Sequence, residues 1–145
     1  MKISSTAFTE GGSIPGKYTC DGANTSPPLA FAEIPSGAKS LALVVDDPDA
    51  PKGTFDHWVV WNIPASTTSV GEGQAPQGVA GKTGFGKPGY GGPCPPNGEH
   101  RYFFKLYALD AMLNLPASST KGDLEKAMQG HTLGQAQLMG KYKRK

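Results

Sequence analysis

The sequence predicts a mainly β protein, a sandwich of two mostly antiparallel sheets with one short peripheral helix. Three observations carry this. The 145 residues include 20 Gly and 13 Pro, a turn-rich composition that leaves little room for long helices. Several segments alternate apolar and polar residues with a period of two. One of them, Arg101 to Leu109, is apolar on both faces, as a strand inside a layered structure must be.

The elements follow in chain order. Ile3 to Phe8 and Leu29 to Phe31 show short alternations and are expected as weak strands. Ser40 to Val45 is a continuous apolar run that stops at Asp46-Asp47-Pro48, where proline ends the ladder. His57 to Ile63 is a second run, closed by Pro64. Arg101 to Leu109 is the strongest strand, with His100, Tyr102, Phe104, Leu106 and Ala108 on one face and Phe103, Tyr107 and Leu109 on the other. Lys121 to Gln129 is the single credible helix, with Thr120 as N-cap, Leu124, Ala127 and Met128 as its apolar stripe and Gly130 as its stop. Leu133 to Tyr142 is expected as a last weak strand, followed by a solvated basic end. Residues 71–98 hold ten glycines and five prolines. The aromatics Phe85 and Tyr90 and the strong flanking strands identify them as a long ordered loop.

Length and charge limit the function classes. A chain of this size forms one domain, residues 1–145, and buries about two thirds of its unfolded surface. A net charge of +2 sets up no field for nucleic acid or an anionic membrane. No run of 18 apolar residues occurs and Met1 to Ser5 lack a signal-peptide core, so no membrane insertion and a cytoplasmic location are expected. Two cysteines, Cys20 and Cys94, are too few for a disulfide framework in a reducing compartment, and two free thiols are the expectation from composition. Their loops should nevertheless meet beside the candidate pocket, where Cα atoms within about 7 Å would permit a bond.

Several nucleotide and metal motifs fail on context. Gly84-Phe85-Gly86-Lys87-Pro88-Gly89 matches a dinucleotide fingerprint, but it follows no strand, opens no helix and contains Pro88. Gly81-Lys82-Thr83 lacks the earlier glycine of a phosphate loop. Pro51 blocks a calcium loop beginning at Asp47 and Asp49. No cofactor is expected.

Two rigid polar loops at strand ends survive. Asp47-Pro48-Asp49-Ala50-Pro51 closes one strand and His57-Trp58 opens the next. Gly91-Gly92-Pro93-Cys94-Pro95-Pro96-Asn97-Gly98-Glu99-His100 leads into a third. Prolines fix φ and glycines permit tight turns, so such loops can hold imidazoles and amides in fixed places. Asp47 and Asp49, two residues apart in an extended segment, can project the same way. The expectation is a single concave pocket lined by Asp47, Asp49, His57 and His100.

These motifs, with Cys20-Asp21-Gly22 and Ser26-Pro27-Pro28-Leu29, resemble the phosphatidylethanolamine-binding protein family, more closely its bacterial and archaeal Raf-kinase-inhibitor-like branch. The likeness runs from about Phe8 to Tyr142. Asp56 departs from the histidine common in eukaryotic members. The resemblance implies a non-enzymatic pocket for a small anion, whether phosphate, a phosphorylated group or acetate. The matching positions are Asp47, Asp49, His57, Gly92, Pro93, His100 and Tyr102. It also allows an inhibitory partner, a protein kinase or serine protease, and a homodimer. Chemically, an aspartate bonded to one imidazole nitrogen favours the charged ring, whose other N–H then donates to the anion. Two such histidines of raised pKa with a glycine-loop amide would make an oxyanion site that weakens as pH rises. Two carboxylates and two imidazoles are also a plausible divalent-metal set, so a metal-dependent hydrolase stays as the lesser, enzymatic alternative, although no nucleophile-plus-base pair is legible.

Overall fold

The computed structural model describes residues 1–145 as two antiparallel sheets and one α-helix. The larger sheet has five strands in the order β6-β4-β3-β7-β8, and the smaller has three in the order β1-β2-β5. Their ranges are β1 Lys2–Ser4, β2 Leu29–Ala32, β3 Ser40–Asp47, β4 Phe55–Pro64, β5 Ser69–Val70, β6 Val79–Ala80, β7 Glu99–Leu109 and β8 Thr132–Lys143, with α1 at Lys121–Met128.

β3 is the centre of the larger sheet and is buried along its whole length. Its apolar run therefore serves two cores at once. Leu41, Leu43 and Val45 join Trp58, Val60, Phe104 and Leu106 in the cluster between the sheets. Ala42 and Val44 join Val59, Trp61 and Leu124 under α1. Each fully buried Val, Leu or Phe stabilises the fold by about 1.5–3 kcal/mol, so this strand anchors both layers. β7 lies between β3 and β8, the internal position expected of it. Its inner face is fully buried, whereas the outer Phe103 and Tyr107 are half-buried and Arg101 is exposed.

α1 has the expected start and length. Thr120 and Asp123 form a reciprocal capping box, and Leu124 and Met128 bury the apolar stripe. Other elements differ from the sequence reading. The first strand stops at Ser4 because the Ser5 hydroxyl accepts a hydrogen bond from the Ala7 amide and draws the backbone into a local turn. Phe8 is still buried, as a loop residue. β5 and β6, two residues each, carry no legible alternation. The basic end is partly ordered: Lys141–Lys143 close β8, and the buried Tyr142 donates its hydroxyl to Asp21.

The two cysteines are bonded, which overturns the free-thiol reading. Cys20 and Cys94 form a disulfide with Cα atoms 5.4 Å apart. The bond stands beside a Cys20 amide donating to the Pro93 carbonyl at 3.1 Å, so the two loops meet as expected and are joined twice. No helix is long and apolar enough to cross a membrane.

Candidate functional site

β3 and β4 pair antiparallel with Asp47 opposite Phe55, and β7 pairs with the other side of β3. This register gathers the end of β3, the start of β4 and the start of β7 at one end of the larger sheet. Alternation sorts the side chains there. Asp46 faces outward to Lys105 at 3.0 Å and Lys121 at 3.4 Å, and Asp56 joins the same cluster through Lys121 at 3.0 Å. Asp47, His57 and His100 face a cavity of about 310 Å³ on the other side.

All three residues are nearly buried, and their hydrogen bonds are specific. His100 donates Nδ1–H to Asp47 Oδ2 at 2.7 Å. The other oxygen of Asp47 accepts the Asp49 amide at 2.8 Å, an Asx turn that begins the loop. His57 places Nδ1 at 2.7 Å from the Gly91 carbonyl. A carbonyl only accepts, so Nδ1 carries the proton and Nε2 is the nitrogen left for a ligand. The same holds for His100. Burial pushes the His57 pKa below its ordinary 6.5, and the Gly91 carbonyl and Asp47 only partly oppose this.

That corrects the expected pair of charged histidines. Asp47 supports one ring, His100, while His57 rests on a neutral carbonyl and is held in the neutral Nδ1–H form. The glycine-loop amide is also committed: Gly92 donates to Asn24 Oδ1 at 2.8 Å. Gly92 is required for close approach, because a Cβ there would collide with the Tyr18 carbonyl. Pro93 fixes the wall through its carbonyl bond to Cys20.

Of the predicted positions, Asp47, His57 and His100 line the cavity, while Gly92, Pro93 and Tyr102 stand behind it and Asp49 turns away. The strand ends at Asp47, and beyond the turn at Pro48 alternation no longer governs direction. Asp49 instead takes a two-pronged bond from Arg101, at 2.8 and 2.9 Å, plus the Arg101 amide at 2.9 Å. The Arg101 guanidinium holds its carboxyl down at about 2. Asp49 therefore clamps the two loops from outside. Tyr102 is buried behind both imidazoles, with ring centroids 5.3 Å from His57 and 6.5 Å from His100. Its hydroxyl makes no well-formed hydrogen bond. Burial, then the Asp47 charge, pushes its pKa up.

The remaining walls, the expected neighbour Cys94 apart, were not read from the sequence. Ala50, Pro51, Phe55, Phe85, Cys94, Pro95 and Pro96 close the cavity. Phe85 lies in the glycine loop with no periodic pattern to mark it, although an aromatic ring between Gly84 and Gly86 was the available signal. Nowhere do three His, Cys, Asp or Glu side chains converge as a metal ion would require.

The comparisons with known proteins agree with this fold. The family model described as phosphatidylethanolamine-binding protein matches residues 4–143. A UPF0098 protein of Methanothermobacter thermautotrophicus is 51% identical over 150 residues, covering 99% of each chain. A UPF0098 protein of Chlamydia pneumoniae is 47% identical over 99% of each. Among solved structures, a phosphatidylethanolamine-binding protein homologue from Chlamydia trachomatis superposes with a TM-score of 0.96 at 42% identity, covering 99% of this chain and 97% of that one. E. coli YbcL, described as a member of the mammalian family, gives a TM-score of 0.92 at 32% identity over 99% and 98%. With its two-sheet fold and its Asp47–His57–His100 pocket, this chain belongs to the phosphatidylethanolamine-binding protein family.

Proposed function

We propose that the protein is a non-enzymatic receptor for a small anion, bound between His57 and His100. The observation that supports this best is the commitment of both Nδ1 atoms to protein acceptors, which leaves two Nε2 atoms for one cavity. His100 offers its Nε2 from a ring anchored through Nδ1–H on Asp47. Neutral His57 offers a lone pair, so it either accepts a bond from a protonated oxyanion or takes up a proton as the anion arrives. Anion binding is then coupled to proton uptake.

Binding fits the lining better than catalysis. The cavity presents no hydroxyl and no free thiol, because the Cys94 sulfur is in the disulfide. The His57 Nε2 lone pair is an available base, but no hydroxyl or thiol nucleophile stands beside it in the lining.

Isothermal titration with methanesulfonate, whose single charge does not titrate, tests the proposal. The expected result is tighter binding at about pH 5.5 than at about pH 8.5, with buffer-dependent heats that report proton uptake. His57→Ala and His100→Ala should each weaken binding ten- to a hundredfold, the loss of a charge-assisted bond of about 1.5–3 kcal/mol. Equal affinity at both pH values with both variants unaffected would refute it.

A further inference from the structure

The cavity is larger and more apolar than an inorganic anion needs. At about 310 Å³ it has room for roughly ten waters, whereas a five-atom oxyanion displaces about three or four. Once an anion lies between the imidazoles, the rest of the space is walled by Ala50, Pro51, Pro95, Phe55 and Phe85. None of these brings a side-chain charge. The one carboxylate in the lining, Asp47, already has both oxygens engaged.

Phe85 stands out among these walls. It is 44% exposed, an unusual state for phenylalanine. Its position is nevertheless set by packing. The ring lies 4.9 Å from Phe55, nearly perpendicular to it, and 5.4 Å from His57. Glycines make these seats possible: a Cβ on Gly91 would strike the Phe85 ring, and one on Gly84 would meet the Phe55 ring at 2.7 Å. A large apolar ring is thus held partly in solvent, beside the His57 ring, at the edge of the apolar part of the cavity.

We propose that Phe85 and Phe55 form an aromatic subsite that makes this pocket select phosphomonoesters carrying a compact apolar group, an aryl group above all. It ranks them over inorganic phosphate and over aminoalkyl phosphates. The inference rests on the anion-binding reading and adds the ligand class to it. The phosphate lies between His57 and His100, and the ester group fills the space along Phe55 and Phe85, covering the exposed ring. An ammonium group placed there would meet prolines and phenyl rings with no free carboxylate to pair with, so an aminoalkyl ester loses its hydration without compensation.

Titration of the whole protein with phenyl phosphate, O-phosphoethanolamine and inorganic phosphate, each with the wild type and Phe85→Ala, tests this. The wild type should bind phenyl phosphate about tenfold more tightly than inorganic phosphate, the size of one edge-on aromatic contact plus covered ring area. O-phosphoethanolamine should show no such gain. In Phe85→Ala the phenyl-to-inorganic ratio should fall close to one, and Phe85→Leu should recover part of it. Thermal unfolding of both variants should stay cooperative and its midpoint fall by no more than a few degrees, since the ring is already partly in solvent. A wild-type ratio near one, a ratio unchanged by Phe85→Ala, or tighter binding of O-phosphoethanolamine than of phenyl phosphate would overturn the subsite and leave the anion site standing. Absence of binding by all three anions would overturn both.

Discussion

Opening the Cys20–Cys94 bond should cost this protein a large share of its stability. The bond joins residues 74 apart in sequence. Chain-entropy bookkeeping for a loop of that length gives about 15 cal/mol/K, or roughly 4.4 kcal/mol at 25 °C, all of it from freeing the unfolded chain. A 145-residue domain unfolds with an entropy of about 0.3 kcal/mol/K near its midpoint, so the expected fall in Tm is about 14 °C. The native state should change little, because the Cys20 amide bond to Pro93 and the Gly92 bond to Asn24 still join the same two loops. The assay is calorimetric unfolding of the oxidised wild type, the wild type reduced with a dithiol, and the Cys20→Ser/Cys94→Ser double variant. Reduced protein and double variant should agree with each other and lie well below the oxidised form. If both unfold within a degree or two of it, the unfolded ensemble is not being constrained by the cross-link and the entropic reasoning fails.

Three other outcomes follow from the site. Asp47→Ala leaves the Nδ1–H of buried His100 without its acceptor and should destabilise the fold by about 3 kcal/mol in urea unfolding, with Asp47→Asn costing less. The His57 pKa is lower folded than unfolded, so below about pH 6.5 the unfolded chain binds the extra proton and stability should decline as pH falls toward the folded value. Nitrogen-resolved NMR should find His57 as the Nδ1–H tautomer at neutral pH, and the His57→Gln variant should lose that part of the pH dependence. Asp49 gives the same sign in a more acidic window. Its carboxyl sits at about 2 against 3.8 for an unperturbed group, so its contribution is present above pH 4 and is lost as pH drops toward 2. Because the pair is partly exposed, Arg101→Ala should lower stability only slightly even above pH 4, and the difference from the wild type should vanish as pH drops toward 2.

The elements legible in the sequence were those whose burial repeats along the chain. β3, β4 and β7 carry long apolar runs because they lie inside the larger sheet, and α1 is marked by Thr120, Leu124 and Met128 through capping and helical spacing. The strand-end positions of Asp47, His57 and His100 could be read as well, since Pro and Gly punctuate each junction. Other features exist only through contacts between distant residues. β5 and β6 are two residues long, held by a neighbour rather than by any pattern of their own. Which way Asp49 turns depends on Arg101, 52 residues away, and which form of His57 is stable depends on a carbonyl 34 residues away. Two cysteines in two loops define no bond until the loops meet. Phe85 becomes part of a pocket wall only when the fold sets Phe55 and His57 beneath it. Local periodicity records what a segment buries, but the identity of the partner, and with it the charge state of the site, is decided where separate segments converge.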